Sequence, residues 1–104
     1  MEITLNELLE AAGSKNATSH SFEVGKQYLI RTVTFFYTGM LIRVTDNDLV
    51  LSDAAWIADT GRFHDCLKSG VFNEVEPFLS DVIVPRSAII DATIWDHKLP
   101  REQK

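Results

Sequence analysis

Apolar residues recur with helical spacing in the first dozen positions and then change to a strand-like pattern. Leu5, Leu8, Leu9 and Ala12 stand at i, i+3, i+4 and i+7, on one face of a helix. Thr4-Leu5-Asn6-Glu7 fits a capping box, in which Thr4 accepts from an orphan N–H and Glu7 reaches back. Gly13 suits the position after the last turn, where the left-handed region is needed. The spacing predicts a helix over 4–12, followed by a polar, unpatterned linker. From Tyr28 to Val44 the chain is dominated by β-branched and aromatic residues, among them Ile30, Val33, Phe35, Phe36, Tyr37, Ile42 and Val44. Thr32-Val33-Thr34-Phe35 either turns between two strands or bends within one continuous strand. The Thr45-Asp46-Asn47-Asp48 cluster is a turn, because Asp and Asn side chains bond their own backbone and tolerate the left-handed region. Leu49 to about Ile57 is the returning strand.

Further along, Asp59-Thr60 can cap a short helix from about Gly61 to Lys68, anchored by Phe63 and Leu67 and ended by Gly70. Residues 71–81 read as an extended segment and a turn. Val82-Ile83-Val84 is a strand, Pro85-Arg86-Ser87 a tight break, and Ala88 to Trp95 the last strand. Pro85 has no N–H for a ladder and marks a strand end. The charged residues after Asp96 form a frayed tail. These elements predict a mainly β fold: a small, strongly bent, five-stranded antiparallel barrel with an N-terminal helix and a short inserted helix. The expected layout is one domain over 1–104: helix in 1–13, linker 14–27, barrel 28–95 with an insertion at 55–81, and tail 96–104.

Composition narrows the function. At 104 residues the chain suits one domain. With 45% hydrophobic and 24% charged residues it reads as a globular protein that needs no metal or disulfide to fold. Cys66 is the single cysteine, so no intrachain disulfide forms and a reducing, cytoplasmic setting is expected. No signal peptide and no membrane-spanning stretch is read from the sequence. The formal charge of −5 repels a polyanion, so a nucleic-acid site has to be local.

Two segments carry a family resemblance. Gly39, Leu41 and Asp46, followed by Leu49-Val50-Leu51 and Asp53, are similar to the first motif of the Sm-like ring proteins, which include the bacterial RNA chaperones of the Hfq type. Val84-Pro85-Arg86-Ser87-Ala88-Ile89 resembles the second motif, a short apolar strand, a basic turn and another apolar strand. Gly39 has a physical role in this pattern, since a strand without a side chain at one position bends sharply and lets the sheet curl. The resemblance covers about residues 28–54 and 82–95. It implies a closed homo-oligomeric ring with the two motif loops side by side near a pore. It also implies single-stranded RNA as ligand, with Asp46, Asn47, Arg86 and Ser87 as the candidate contacts. Ile89, Ile90, Ile94 and Trp95, on the last strand, are the candidate subunit interface, with Trp95, like Trp56, equally a candidate for the core.

The residues permit a second function. Asp46-Asn47-Asp48 offers no aromatic face, and base stacking supplies roughly 1–3 kcal/mol per base. An acidic ring serving as a scaffold or protein-interaction module, with 55–81 as its contact surface, is the alternative. Enzymatic activity is not expected: no nucleophile–base pair, metal-ligand set or phosphate loop is visible, and no cofactor or metal is implied. His64 and Cys66 stand at i and i+2 on a helix and face different directions. Phe35, Phe36 and Tyr37 alternate faces of a strand, which favours core packing over a stacking platform.

Overall fold

The computed structural model describes residues 20–104; the helix expected over 4–12 and the linker up to residue 19 lie outside the described residues. Six strands follow: β1 (Gln27–Thr32), β2 (Phe36–Val44), β3 (Asp48–Asp59), β4 (Glu74–Pro77), β5 (Val82–Pro85) and β6 (Ile89–Ile94). Helix α1 (Phe63–Ser69) separates β3 from β4, and a 3-10 turn, Arg86–Ala88, separates β5 from β6. The fold is mainly β. All pairings are antiparallel, in the order β4-β3-β2-β1-β6, with β5 also on β3.

The first turn is a true hairpin. Thr32 closes it: its main-chain N–H and its Oγ1 both donate to the Phe35 carbonyl at 2.8 Å. The same Oγ1 accepts from the Phe35 N–H at 3.2 Å. A threonine hydroxyl thus does the work expected of Gly, Asn or Pro.

Strand β3 organises the rest. One side pairs with β2 along most of its length. The other side is shared, with Asp48–Leu51 against β5 and Ala55–Asp59 against β4. Between the halves the register with β2 slips from Thr38↔Ala55 to Met40↔Ser52, leaving Asp53 and Ala54 across from Gly39. Asp53 takes φ 49°, the left-handed conformation usual in this kind of bulge. A Cβ on Gly39 would stand 2.9 Å from Leu51 Cβ and 3.2 Å from Ala54 Cβ. Gly39 therefore lets the kinked β3 close onto β2.

The expected count of five strands is corrected to six. The additional strand is β4, which lies inside the segment expected to be only extended. The long β3 presents a second edge after the bulge, and Val75 packs against it while Glu74 and Glu76 flank it. No pairing joins β6 to β4 or β5, so among the described residues the ladder is open.

Alternation along the strands sorts side chains onto two faces, and both carry apolar clusters. Tyr28, Ile30, Leu41, Leu49, Leu51, Ala54 and Val84 form one. Leu29, Ala55, Ile57, Cys66, Phe72, Val75 and Trp95 form the other. Helix α1 covers part of the second cluster. It ends as expected at Gly70, whose φ is 76° and whose N–H donates to the Cys66 carbonyl at 2.8 Å. Its start differs: Asp59 Oδ1 accepts from the Gly61 N–H at 2.8 Å in the preceding turn, and Arg62 stands at the helix N-cap without a side-chain bond.

The expected frayed tail is also corrected. Residues 95–104 form a strap over the second face. Arg101 donates to the carbonyls of Ala54 (2.7 Å) and Phe78 (3.2 Å), and Lys104 exchanges two main-chain bonds with Val75 at 2.9 Å. Among the described residues no helix is long and apolar enough to cross a membrane.

Candidate functional site

The β2–β3 turn is held from within by Thr45. Its Oγ1 accepts from the N–H groups of Asn47 (3.2 Å) and Asp48 (2.9 Å), and its own N–H donates to the Asp48 carbonyl at 2.9 Å. The sequence credited the Asp and Asn side chains with shaping this turn. The threonine before them does so, which leaves Asp46 and Asn47 exposed and uncommitted in turn formation.

The 3-10 turn after β5 docks on this loop. Arg86 N–H donates to the Asn47 carbonyl at 2.7 Å, and Arg86 Nη1 donates to the Thr45 carbonyl at 2.7 Å and, at 3.4 Å, to that of Asp46. Asp46, Asn47, Arg86 and Ser87, far apart in sequence, are thereby brought into one surface cluster. Asp48 opens β3 opposite Pro85. The Arg86 guanidinium thus binds main-chain carbonyls, which orients it and fixes the loop. The ion pairs among the described residues lie elsewhere, at Arg31–Asp91 and, at 4.0 Å, Asp53–Arg101. The aromatic pairs also lie elsewhere: Phe35 against Trp56, Phe36 against Phe63, Tyr37 against Phe78. The cluster therefore offers hydrogen bonds and charge, without a stacking surface.

Next to the cluster are two strand edges that have no ladder partner among the described residues, the outer sides of β5 and β6. Ile83 on β5 is 62% exposed, and Ile90 and Ile94 on β6 are 56% and 43% exposed. Ile89 is half-buried against the first cluster. Trp95 stands apart from the other candidate interface residues. It is 2% exposed, stacks on Phe72 at 5.0 Å and belongs to the core of its own chain.

His64 is exposed and Cys66 is buried, so the two do not meet. Burial, with a smaller contribution from Asp65, pushes the Cys66 thiol above its ordinary pKa and keeps it protonated near neutral pH. Among the described residues no three His, Cys, Asp or Glu side chains gather as metal ligands would.

The sequence missed the strap altogether. His97 Nε2 donates to the Leu67 carbonyl at 2.7 Å; because a carbonyl only accepts, this nitrogen carries the proton. A Cβ on Gly70 would stand 2.6 Å from the His97 ring. Trp95, Leu99 and the glycine at 70 were the available signals, an apolar pattern too sparse to read in a charged terminus. No family model and no curated protein matches the sequence.

Proposed function

We propose that this chain assembles through β5 of one copy and β6 of the next into a closed homo-oligomeric ring of the Sm-like kind, and that the ring binds single-stranded RNA at the turn cluster. The observation that carries the reading is a pair of strand edges, unpartnered among the described residues and bearing exposed isoleucines, on either side of a three-residue 3-10 turn. Open edges with apolar side chains template pairing with another chain, and pairing two different edges head to tail closes a ring. The strand sequence β6-β1-β2-β3-β5 supports it, because each copy then contributes one edge of each kind. Across copies the open, bent sheet becomes a continuous barrel wall. In that ring Asp46, Asn47, Arg86 and Ser87 recur once per subunit. The main chain fixes Arg86 in place, and the remaining guanidinium N–H groups suit a phosphate.

A second reading has its own support. The net charge of −5, the exposed Asp46 and the engagement of Arg86 with carbonyls favour a ring that contacts protein and leaves nucleic acid unbound. In both readings the protein is not an enzyme.

Light scattering coupled to size-exclusion chromatography tests the assembly, with a single species of about five to eight protomers expected. A monomer at all concentrations overturns it. Fluorescence anisotropy with labelled oligouridylate and oligoadenylate at low salt tests the ligand. Binding that Arg86→Ala weakens at least tenfold supports RNA, whereas no binding at low salt leaves the protein-scaffold reading.

A further inference from the structure

A groove of about 490 Å³ runs between the strap and the segment joining α1 to β4. Its walls are apolar: Val71, Phe72 and Val75 on one side, Leu99 and Pro100 on the other. Phe72 and Val75 are buried, whereas Val71 is 57% exposed on the rim. The walls are anchored by hydrogen bonds to neighbouring elements. His97 binds the Leu67 carbonyl, and Gln103 Nε2 donates to Glu76 at 3.2 Å. Arg101 and Lys104 tie the far end to Ala54, Phe78 and Val75. Phe72, stacked on Trp95, forms a firm floor. An apolar floor with fixed walls and charged groups at its margin suits a small amphiphilic molecule.

Charge decides what it takes. The protein carries −5 overall, yet Lys98 and Lys104 line this groove against the carboxylate of Glu102, while Arg101, also on the wall, is taken up by the carbonyls of Ala54 and Phe78 and lies 4.0 Å from Asp53. On an acidic molecule such a concentration of cations above an apolar floor selects an anionic head with a hydrophobic body. We infer that the groove between the strap and the α1–β4 segment is a binding site for a small organic anion with a short apolar body, such as a medium-chain carboxylate. The apolar body lies on Phe72, Val75 and Leu99, and the carboxylate meets the ammonium groups of Lys98 and Lys104. The site is separate from the turn cluster and does not depend on ring assembly.

Amide NMR titration of the full chain tests this, with octanoate as probe and octanamide and octylammonium as uncharged and cationic controls. The expected result is saturable shifts at Val71, Phe72, Leu99 and Lys104 with octanoate, at a dissociation constant in the high-micromolar to low-millimolar range. Octanamide and octylammonium bind at least tenfold more weakly. Lys98→Met with Lys104→Met weakens octanoate about tenfold while leaving octanamide unchanged. Val71→Glu, a change at an exposed position, abolishes binding with an unaltered melting temperature. The proposal is overturned if octanoate shifts none of these amides up to roughly 10 mM. Equal binding of all three probes also overturns it, since that is apolar adsorption. So does a concentration-dependent shift at Val71 and Leu99 without probe, which would assign the groove to a second copy of the chain.

Discussion

Strand β3 is one continuous element with two differently built halves. Asp48–Leu51 pairs with β5, sits beside a turn closed by Thr45 three residues earlier, and buries Leu49 and Leu51 in a cluster of strand residues. Ala55–Asp59 pairs with β4 and is covered by α1 and by a strap from the far end of the chain. The first half is specified by alternation and local turn chemistry. The second depends on contacts that close only after distant segments arrive. The bulge at Asp53 and Ala54, facing Gly39, separates them.

The largest break in this comparison comes from Trp95→Ala. Removing a buried indole that stacks on Phe72 costs about 3–5 kcal/mol. Urea unfolding should show the loss, and hydrogen exchange should rise first at Val75 and Ile57 while Leu49 and Leu51 keep more of their protection. Loss of protection that begins in the first half would show that the halves do not differ in this way.

Gly39→Ala acts at the boundary itself. Its methyl enters the space of Leu51 and Ala54, and overpacking of this kind costs about 1–3 kcal/mol. The expected outcome is a lower urea midpoint with both halves affected together.

Thr38→Val sharpens the contrast in the opposite direction. Thr38 lies opposite Ala55, is fully buried, and its Oγ1 has no hydrogen-bond partner among the described residues. Replacing that hydroxyl with a methyl of the same shape should stabilise the protein by about 1 kcal/mol, read as a raised melting temperature. An unchanged or lowered value would mean the hydroxyl is satisfied in solution.

The smallest effect concerns the exposed clamp between β1 and β6. Arg31 donates to both carboxylate oxygens of Asp91, which holds the Asp91 carboxyl below its ordinary value of 3.8 and raises the Arg31 guanidinium. The folded value lies below the unfolded one. The contribution is therefore complete above the ordinary aspartate range and is lost as pH falls through the folded value. Melting curves of the parent and Asp91→Asn should differ slightly at neutral pH and converge in acid; added salt should shrink the difference.

Much of the first half was legible in the sequence. The strands on either side of Asp46, the glycine at the bend, and the break at Pro85-Arg86-Ser87 each rest on neighbours a few residues away. The turn's builder was misassigned, because Thr45 and the Asp and Asn residues after it all favour turns, and only the hydroxyl's position over two N–H groups tells them apart. The candidate cluster was legible as residues but not as bonding. That Arg86 binds the carbonyls of Thr45 and Asp46 depends on how β5 meets β3.

Residue order alone determined a β-rich chain, a strand rich in aromatics before an acidic turn, the short helix ending at Gly70, and the acidic balance. These follow from side-chain alternation, backbone freedom at glycine, and summed charge, all properties of short windows. Tertiary structure decided the rest: β4 as a sixth strand, Trp95 inside the core, and the charged terminus bound down as a strap. Each of these depends on an edge or apolar face left uncovered elsewhere in the fold. A segment with weak local preference adopts whatever conformation that surface stabilises, since burial and main-chain pairing there outweigh its own propensity.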